Sequence, residues 1–125
     1  IDLAYFGLSS SFGYNLFVRP DSAQYFTFNA IPQATATKLV NTQELCGCGA
    51  NFTASDFEAA TQRSDLDRLT ITVTDGGKKA FSNNTLPRIV LFENAVGRKG
   101  AIKIKEYVTN GQQSYIVCDI KVQKD

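Results

Sequence analysis

The stretch Ala101-Ile102-Lys103-Ile104-Lys105-Glu106-Tyr107-Val108-Thr109-Asn110-Gly111-Gln112-Gln113-Ser114-Tyr115-Ile116-Val117-Cys118-Asp119-Ile120-Lys121-Val122-Gln123 decides the fold class. Successive side chains of a strand point to opposite faces, so period-two alternation marks a half-buried strand. In Ala101–Val108, Ile102, Ile104 and Val108 point one way and Lys103 and Lys105 the other. In Ser114–Gln123, Ile116, Cys118, Ile120 and Val122 share one face, and Asp119, Lys121 and Gln123 share the other. Asn110-Gly111 between them is a strong hairpin signal, because both central residues of a type I′ turn need positive φ. The pattern predicts two antiparallel strands. Their isoleucine face should lie in the core and their lysine face, Lys103, Lys105 and Lys121, toward solvent.

Working outward, Arg88–Phe92 holds four consecutive apolar residues, Ile89 to Phe92, which suits a central strand covered on both faces. Asn94–Gly100 reads as a connection rich in glycine and basic residues. Leu69–Val73 alternates as a half-buried strand, followed by an Asp75-Gly76-Gly77 turn. Residues 51–57 carry a helix start: Thr53 as N-cap, Asp56 as the acid of a capping box, and Phe52 with Phe57 at hydrophobic-staple spacing. A helix over Ala54–Gln62 follows, and Ser64 with Asp65 and Asp67 reads as a further helical turn.

Toward the N-terminus, Ile1–Leu8 and Tyr14–Val18 read as strands on either side of a Ser9–Gly13 turn, and Pro20 stops the second. Tyr25–Phe28 is a short aromatic strand candidate, and the β-branched content of Ala34–Val40 favours strand. The sum is one β-rich α+β domain over residues 1–125. We expect a mainly antiparallel sheet or sandwich-like arrangement with one or two short helices packed on it.

Composition narrows the chemistry. The chain has nine Phe and five Tyr but no Trp, Met or His. Without His it lacks the commonest general base near neutral pH and the commonest metal ligand. No apolar run approaches the roughly 20 residues of a membrane helix. Opening on Ile1 without a signal peptide, the sequence reads as a trimmed mature form or a domain cut from a longer chain. Residues 1–77 carry four basic and eight acidic side chains, and residues 78–125 carry nine and four. The basic set is Lys78, Lys79, Arg88, Arg98, Lys99, Lys103, Lys105, Lys121 and Lys124. No aromatic stacking motif is interleaved with it, which argues against a nucleic-acid partner.

Candidate sites resolve mostly into structural roles. Cys46-Gly47-Cys48-Gly49, with Cys118, raises a metal site, a redox pair or a disulfide. The one-residue gap and the missing fourth ligand fit neither structural zinc nor a thioredoxin-like motif. Inert, partly buried thiols are the favoured reading. Asp65 and Asp67 suit a helix start, while Glu93 and Glu106 near strand ends have no evident partner for acid–base work. Gly97-Arg98-Lys99-Gly100 resembles an anion cradle but reads better as a turn. Asn51-Phe52-Thr53 and Asn83-Asn84-Thr85 match the glycosylation sequon. Tyr5, Phe6, Phe12, Tyr14, Phe17, Tyr25, Phe26 and Phe28 crowd the first 28 residues. They read as core filling before a sugar platform. No catalytic, cofactor-binding or metal residue is assigned, no cofactor is expected, and the ligand-binding residues stay unknown.

Five segments carry a resemblance: Ile1-Asp2-Leu3-Ala4-Tyr5-Phe6-Gly7, Phe17-Val18-Arg19-Pro20-Asp21, Thr53-Ala54-Ser55-Asp56-Phe57, Val96–Lys105 and Asp119–Lys124. In that order they are similar to uncharacterised β-rich domains of surface or periplasmic lipoproteins of Bacteroidetes. The resemblance implies export, a periplasmic or outer-membrane-associated cell-surface location, and a lipid anchor on the precursor. It implies no activity. The expectation is a non-catalytic extracytoplasmic binding or structural domain. Its partner would be a surface protein assembly or a glycan, with no nucleic acid and no transmembrane segment. The alternatives are a carbohydrate-binding module and a small hydrolase.

Overall fold

The structure, a computed structural model, describes residues 1–7, 12, 15–21, 30–43, 51–75, 77, 79–81 and 86–124. Within them run β1 (Ala4–Gly7), β2 (Asn15–Val18), β3 (Lys38–Val40), α1 (Ala54–Ala59), α2 (Ser64–Asp67), β4 (Arg88–Glu93), β5 (Lys99–Val108) and β6 (Tyr115–Val122). The fold is α+β and β-rich. One two-stranded antiparallel sheet pairs β1 with β2, and one four-stranded antiparallel sheet has the order β3-β4-β5-β6. The expected strand at Tyr25–Phe28 and the turn at Ser9–Ser11 lie outside the described residues.

Cross-strand partners share a face of a sheet, so the register assigns the two sides of the larger one. Val40, Leu91, Ala101 and Lys121 are aligned across four strands on one side. Leu91 and Ala101 there pack in one cluster with Phe52, Phe57 and Leu66 from the helical region and with Leu69 and Ile71. The other side presents Leu39, Phe92, Val90, Ile102 and Ile104, packed with Phe17 of β2, Phe81 and, less deeply, Tyr5 of β1. The larger sheet is therefore a middle layer, with helices on one face and the small sheet on the other. This explains why Ile89–Phe92 is apolar without alternation: both of its faces are covered.

One side chain substitutes for a ladder where the sheets meet. The buried Asn41 amide accepts a hydrogen bond from the Phe17 amide at 2.7 Å and donates to the Phe17 carbonyl at 2.9 Å. A neighbouring strand residue would make the same pair of bonds. Asn15 is likewise buried; it accepts from the Tyr5 hydroxyl and donates to the Phe12 carbonyl at 2.5 Å. Burial, with Tyr107 nearby, pushes the Tyr5 phenol well above the ordinary tyrosine range.

Helix α1 begins as its sequence requires. Thr53 Oγ1 accepts from the Asp56 amide at 3.1 Å, and Asp56 Oδ2 accepts from the Thr53 amide at 2.9 Å, closing the capping box. Phe52 and Phe57 are both buried, as a staple places them. The helix stops at Ala59 rather than Gln62. Asp65 Oδ2 takes the Thr61 and Gln62 amides, each at 2.9 Å, and turns the chain into α2. Ser64 is inside α2, whose N-cap position is Arg63, not Ser64.

Four further expectations are corrected. The segment Leu69–Val73 forms no strand; Leu69 and Ile71 point inward and Thr70 and Thr72 outward as the alternation predicts, but Val73, which it places inward, is exposed. The β5–β6 turn is not type I′: Gly111 has φ +54° but Asn110 has no positive φ. Ser114 organises a longer loop instead, accepting from the Asn110 amide at 2.8 Å and donating to the Gly111 carbonyl at 2.7 Å. In β5 a bulge between Ile104 and Glu106 turns Tyr107, not Val108, toward the Ile102–Ile104 side. Last, β6 lies at the sheet edge; Ile116 and Cys118 pack against the inner cluster and Asp119 is exposed as expected, but toward the end of the strand the covering reverses. Ile120 and Val122 are 50% and 44% exposed, whereas Lys121 is half-buried and Gln123 buried.

Candidate functional site

Two of the three lysines expected to face solvent, Lys103 and Lys121, hold the first helix. Lys121 Nζ donates to the carbonyls of Phe57 at 2.6 Å and Ala60 at 3.0 Å. Both carbonyls lie at the C-terminal end of α1, where the Phe57 carbonyl has only a 3.3 Å bond from the Ala60 amide in the last turn. Lys103 Nζ pairs with Glu58 at 2.5 Å, and Lys99 Nζ donates to the Asp67 carbonyl at 3.0 Å. Gln123 Nε2 donates to the Arg63 carbonyl at 3.1 Å and to Asp67 Oδ1 at 2.6 Å. The remaining strand lysine, Lys105, lies 3.4 Å from Asp119. Arg88 is buried with its guanidinium 4.6 Å from the centre of the Phe81 ring.

The carboxylates weighed for acid–base work are dispersed. Asp65 caps the chain entering α2, and its two main-chain donors hold its carboxyl below the ordinary range. Asp67 receives Gln123, and Glu93 lies 3.7 Å from Lys38, its cross-strand partner. Glu106 is exposed on β5. The structure brings no two of these four together as a facing pair across a described cleft. Clefts of about 240 and 260 Å³ flank Phe52. The first holds Asp56 and Asp65 with Arg68, and the second Gln43, Thr53 and Arg88.

Gly97 and Arg98 belong to the β4–β5 hairpin turn, and Lys99 and Gly100 begin β5. Asn94 Oδ1 accepts the Val96 amide at 3.2 Å and the Arg98 amide at 2.9 Å. The Asn94 carbonyl accepts the Gly97 amide at 3.0 Å, and Gln123 Oε1 accepts the Lys99 amide at 2.9 Å. Those donors are used inside the protein and do not form an anion cradle. Cys118 is a free, half-buried thiol packed against the Ile102–Ile104 cluster. Burial, with Asp119 beside it, pushes that thiol up and keeps it protonated. Cys46 and Cys48 lie outside the described residues, as do Asn83, Tyr14, Tyr25, Phe26 and Phe28. Among the described residues no group of three metal-ligating side chains forms. Asn51 is exposed. Of the described N-terminal aromatics, Phe12 and Phe17 are buried and Tyr5 and Phe6 half-buried.

What remains available is the outer edge of β6. The strand pairs with β5 on one side and, among the described residues, with no strand on the other. The Gln123 amide donates to the Lys99 carbonyl at 3.0 Å. Main-chain groups alternate along a strand, so those of Val122, Ile120 and Cys118 point away from β5. Tyr115, Ile120 and Val122 are 52%, 50% and 44% exposed along this edge. No local pattern of residues marks it, since edge position depends on strand order across the whole sheet. Among the described residues no helix is long and apolar enough to cross a membrane. No protein-family model, curated protein or solved structure matches the chain.

Proposed function

We propose that this chain is a non-catalytic binding or structural domain working outside the cytoplasm, in the periplasm or at the cell surface, within a larger protein assembly. Its contact with that assembly is the outer edge of β6. The observation that carries this reading is an eight-residue strand whose outer edge has no neighbouring strand among the described residues, with half-exposed Tyr115, Ile120 and Val122. Unpaired main-chain groups on such an edge are a template for another strand. Natural edges are commonly guarded by lysine. Here Lys121 is turned beneath α1, so its charge is withdrawn from the edge.

The similarity to exported lipoprotein domains supports the compartment. A glycan partner has less support, because the described N-terminal aromatics are buried or half-buried and form no exposed platform. A hydrolase has less support, because Asp65, Asp67 and Glu93 each hold a structural partner. The test is to express the natural precursor with a tag and fractionate the cells. The chain should appear with the outer membrane or periplasm, and Ile120→Lys should release it from its complex while leaving it folded. A cytoplasmic location, or hydrolase turnover lost on replacing Glu93, Glu106, Asp65 or Asp67, overturns the proposal.

A further inference from the structure

We propose that Asn110 is a site of self-modification: the Gly111 main-chain nitrogen displaces its side-chain amide, and the residue becomes aspartate or isoaspartate without an enzyme. The chemistry needs a following residue that leaves the approach to Cγ open, and an amide that other groups do not hold. Asn110 is exposed in the β5–β6 loop, and it is the one asparagine of the chain that precedes a glycine. Glycine has no Cβ to obstruct the attack. Even a Cβ built on Gly111 would meet nothing within 4 Å, so no neighbouring group crowds the loop there. Among the described residues the Asn110 side-chain amide has no hydrogen-bond partner. The loop's own bonds engage the Asn110 amide, the Asn110 carbonyl and the Gly111 carbonyl, and none of them uses the Gly111 amide.

Asn94, in the other hairpin loop, is the contrast. Its Oδ1 is held by the Val96 and Arg98 amides at 3.2 and 2.9 Å, and Ala95 follows it. Asn15 and Asn41 are buried with both ends of the side-chain amide engaged. The step at Asn110 balances with water as its one co-reactant. Hydroxide takes the Gly111 N–H proton, and the nitrogen forms a bond to Asn110 Cγ. The Cγ–Nδ2 bond breaks, and the leaving nitrogen takes a proton from water and departs as ammonia. Water then opens the cyclic imide. Breaking the new bond to Cγ gives aspartate. Breaking the original peptide bond gives isoaspartate, whose main chain runs through Cγ and is longer by a carbon atom. Either product carries a carboxylate where Asn110 was neutral.

Ser114 sets the pace. Its Oγ accepts from the Asn110 amide at 2.8 Å and donates to the Gly111 carbonyl at 2.7 Å, so it ties the two residues that must turn toward each other. The experiment is incubation of the folded full chain at mildly alkaline pH, followed by trypsin and mass spectrometry. Trypsin releases Glu106–Lys121, in which Asn110 is the one asparagine. That peptide should gain the mass difference between an amide and a carboxyl group and separate into aspartyl and isoaspartyl forms. The peptide Ile89–Arg98, with Asn94, should stay unchanged. Ser114→Ala should quicken the conversion about fivefold, the factor set by one typical net hydrogen bond.

A second variant separates the structure from the bare dipeptide. Ala95→Gly creates an Asn-Gly pair at position 94, where the side-chain oxygen is held, so Asn94 should still convert more slowly than Asn110. Unchanged denaturation midpoints would show that both variants fold. An intact Glu106–Lys121 peptide from the folded chain, when the urea-unfolded chain converts, overturns the proposal, because the loop then closes Asn110 to attack. Conversion of Asn94 in Ala95→Gly as fast as that of Asn110 overturns it too, because dipeptide chemistry alone would then account for the change. An unchanged rate in Ser114→Ala overturns the restraint assigned to Ser114.

Discussion

The Lys121 ammonium sits 2.6 Å from the Phe57 carbonyl oxygen and 4.6 Å from the centre of the same residue's ring. A strand residue thus satisfies the open end of α1 and covers its main apolar anchor, which is 1% exposed. The helix is short, and six residues cannot sustain a helix in water without tertiary support. Its attachment combines one buried phenylalanine with a cation placed where the helix dipole is negative.

Replacing Lys121 by Met keeps much of the aliphatic packing and removes the ammonium. The Phe57 and Ala60 carbonyls then lose their charged donor. A loss of about 1.5–3 kcal/mol is expected from a hydrogen bond to a charged group. Urea denaturation measures it, and amide exchange should quicken first at Phe57 and Ala60. A midpoint equal to wild type would show that water replaces the ammonium without cost.

Asn41→Ala removes the amide that grips both main-chain groups of Phe17. The site is buried, so a donor and an acceptor are left without partners. The expected cost is about 2 kcal/mol or more. Asn41→Asp should be comparably damaging: it still accepts from the Phe17 amide but sets a second acceptor against the Phe17 carbonyl. Comparable midpoints for Asn41→Asp and wild type would refute the two-bond account.

Gly100 is opposite Phe92 in the ladder, and the Phe92 ring lies over it. A methyl group there would come within 2.3 Å of Phe92 Cζ and 2.8 Å of the Lys121 carbonyl oxygen. Gly100→Ala should cost about 1–3 kcal/mol through overpacking. The double variant Gly100→Ala/Phe92→Leu should recover part of that cost, because the ring is the nearer obstacle. Thermal denaturation of both variants decides it.

Three carboxyls of the helical region are held below their ordinary range. Main-chain and hydroxyl donors of Thr53 act on Asp56, Lys103 acts on Glu58, and the Thr61 and Gln62 amides act on Asp65. A depressed carboxyl contributes stability above its unfolded pKa and loses it as the pH falls through its folded pKa. Stability should therefore be level near neutrality and decline below the ordinary carboxylate range. Asp65→Asn keeps an acceptor but removes the charge, so its acid decline should be shallower than that of wild type. Parallel curves of midpoint against pH would show that Asp65 plays no part.

The capping box, the staple and the central strand were legible because each depends on neighbours a few residues apart. Thr53 reaches Asp56, and Phe52 meets the same surface as Phe57. The apolar run Ile89–Phe92 announced a strand covered on both sides. The fate of β6 was not legible. Alternation separates Ile120 from Lys121 but does not say which side another layer will cover. That depends on where α1 ends, and its last carbonyls draw Lys121 inward. Leu69–Val73 shows a related limit: alternation reports inward and outward side chains, while a ladder also needs a neighbouring strand in reach. The candidate edge was hidden for the same reason.

The bulge in β5 carries one more consequence. Ile104 is opposite Cys118 and Glu106 is opposite Val117, so Lys105 occupies no rung of the ladder. Without the bulge, simple alternation would send Glu106 toward the small sheet and Tyr107 toward the helices. Deleting Lys105 would leave every other pairing, and the facing of every other side chain, as it stands. The strand therefore has one site where its length can change by a residue without reversing what lies inside and outside. Anywhere else along β5, an insertion or deletion inverts all that follows it.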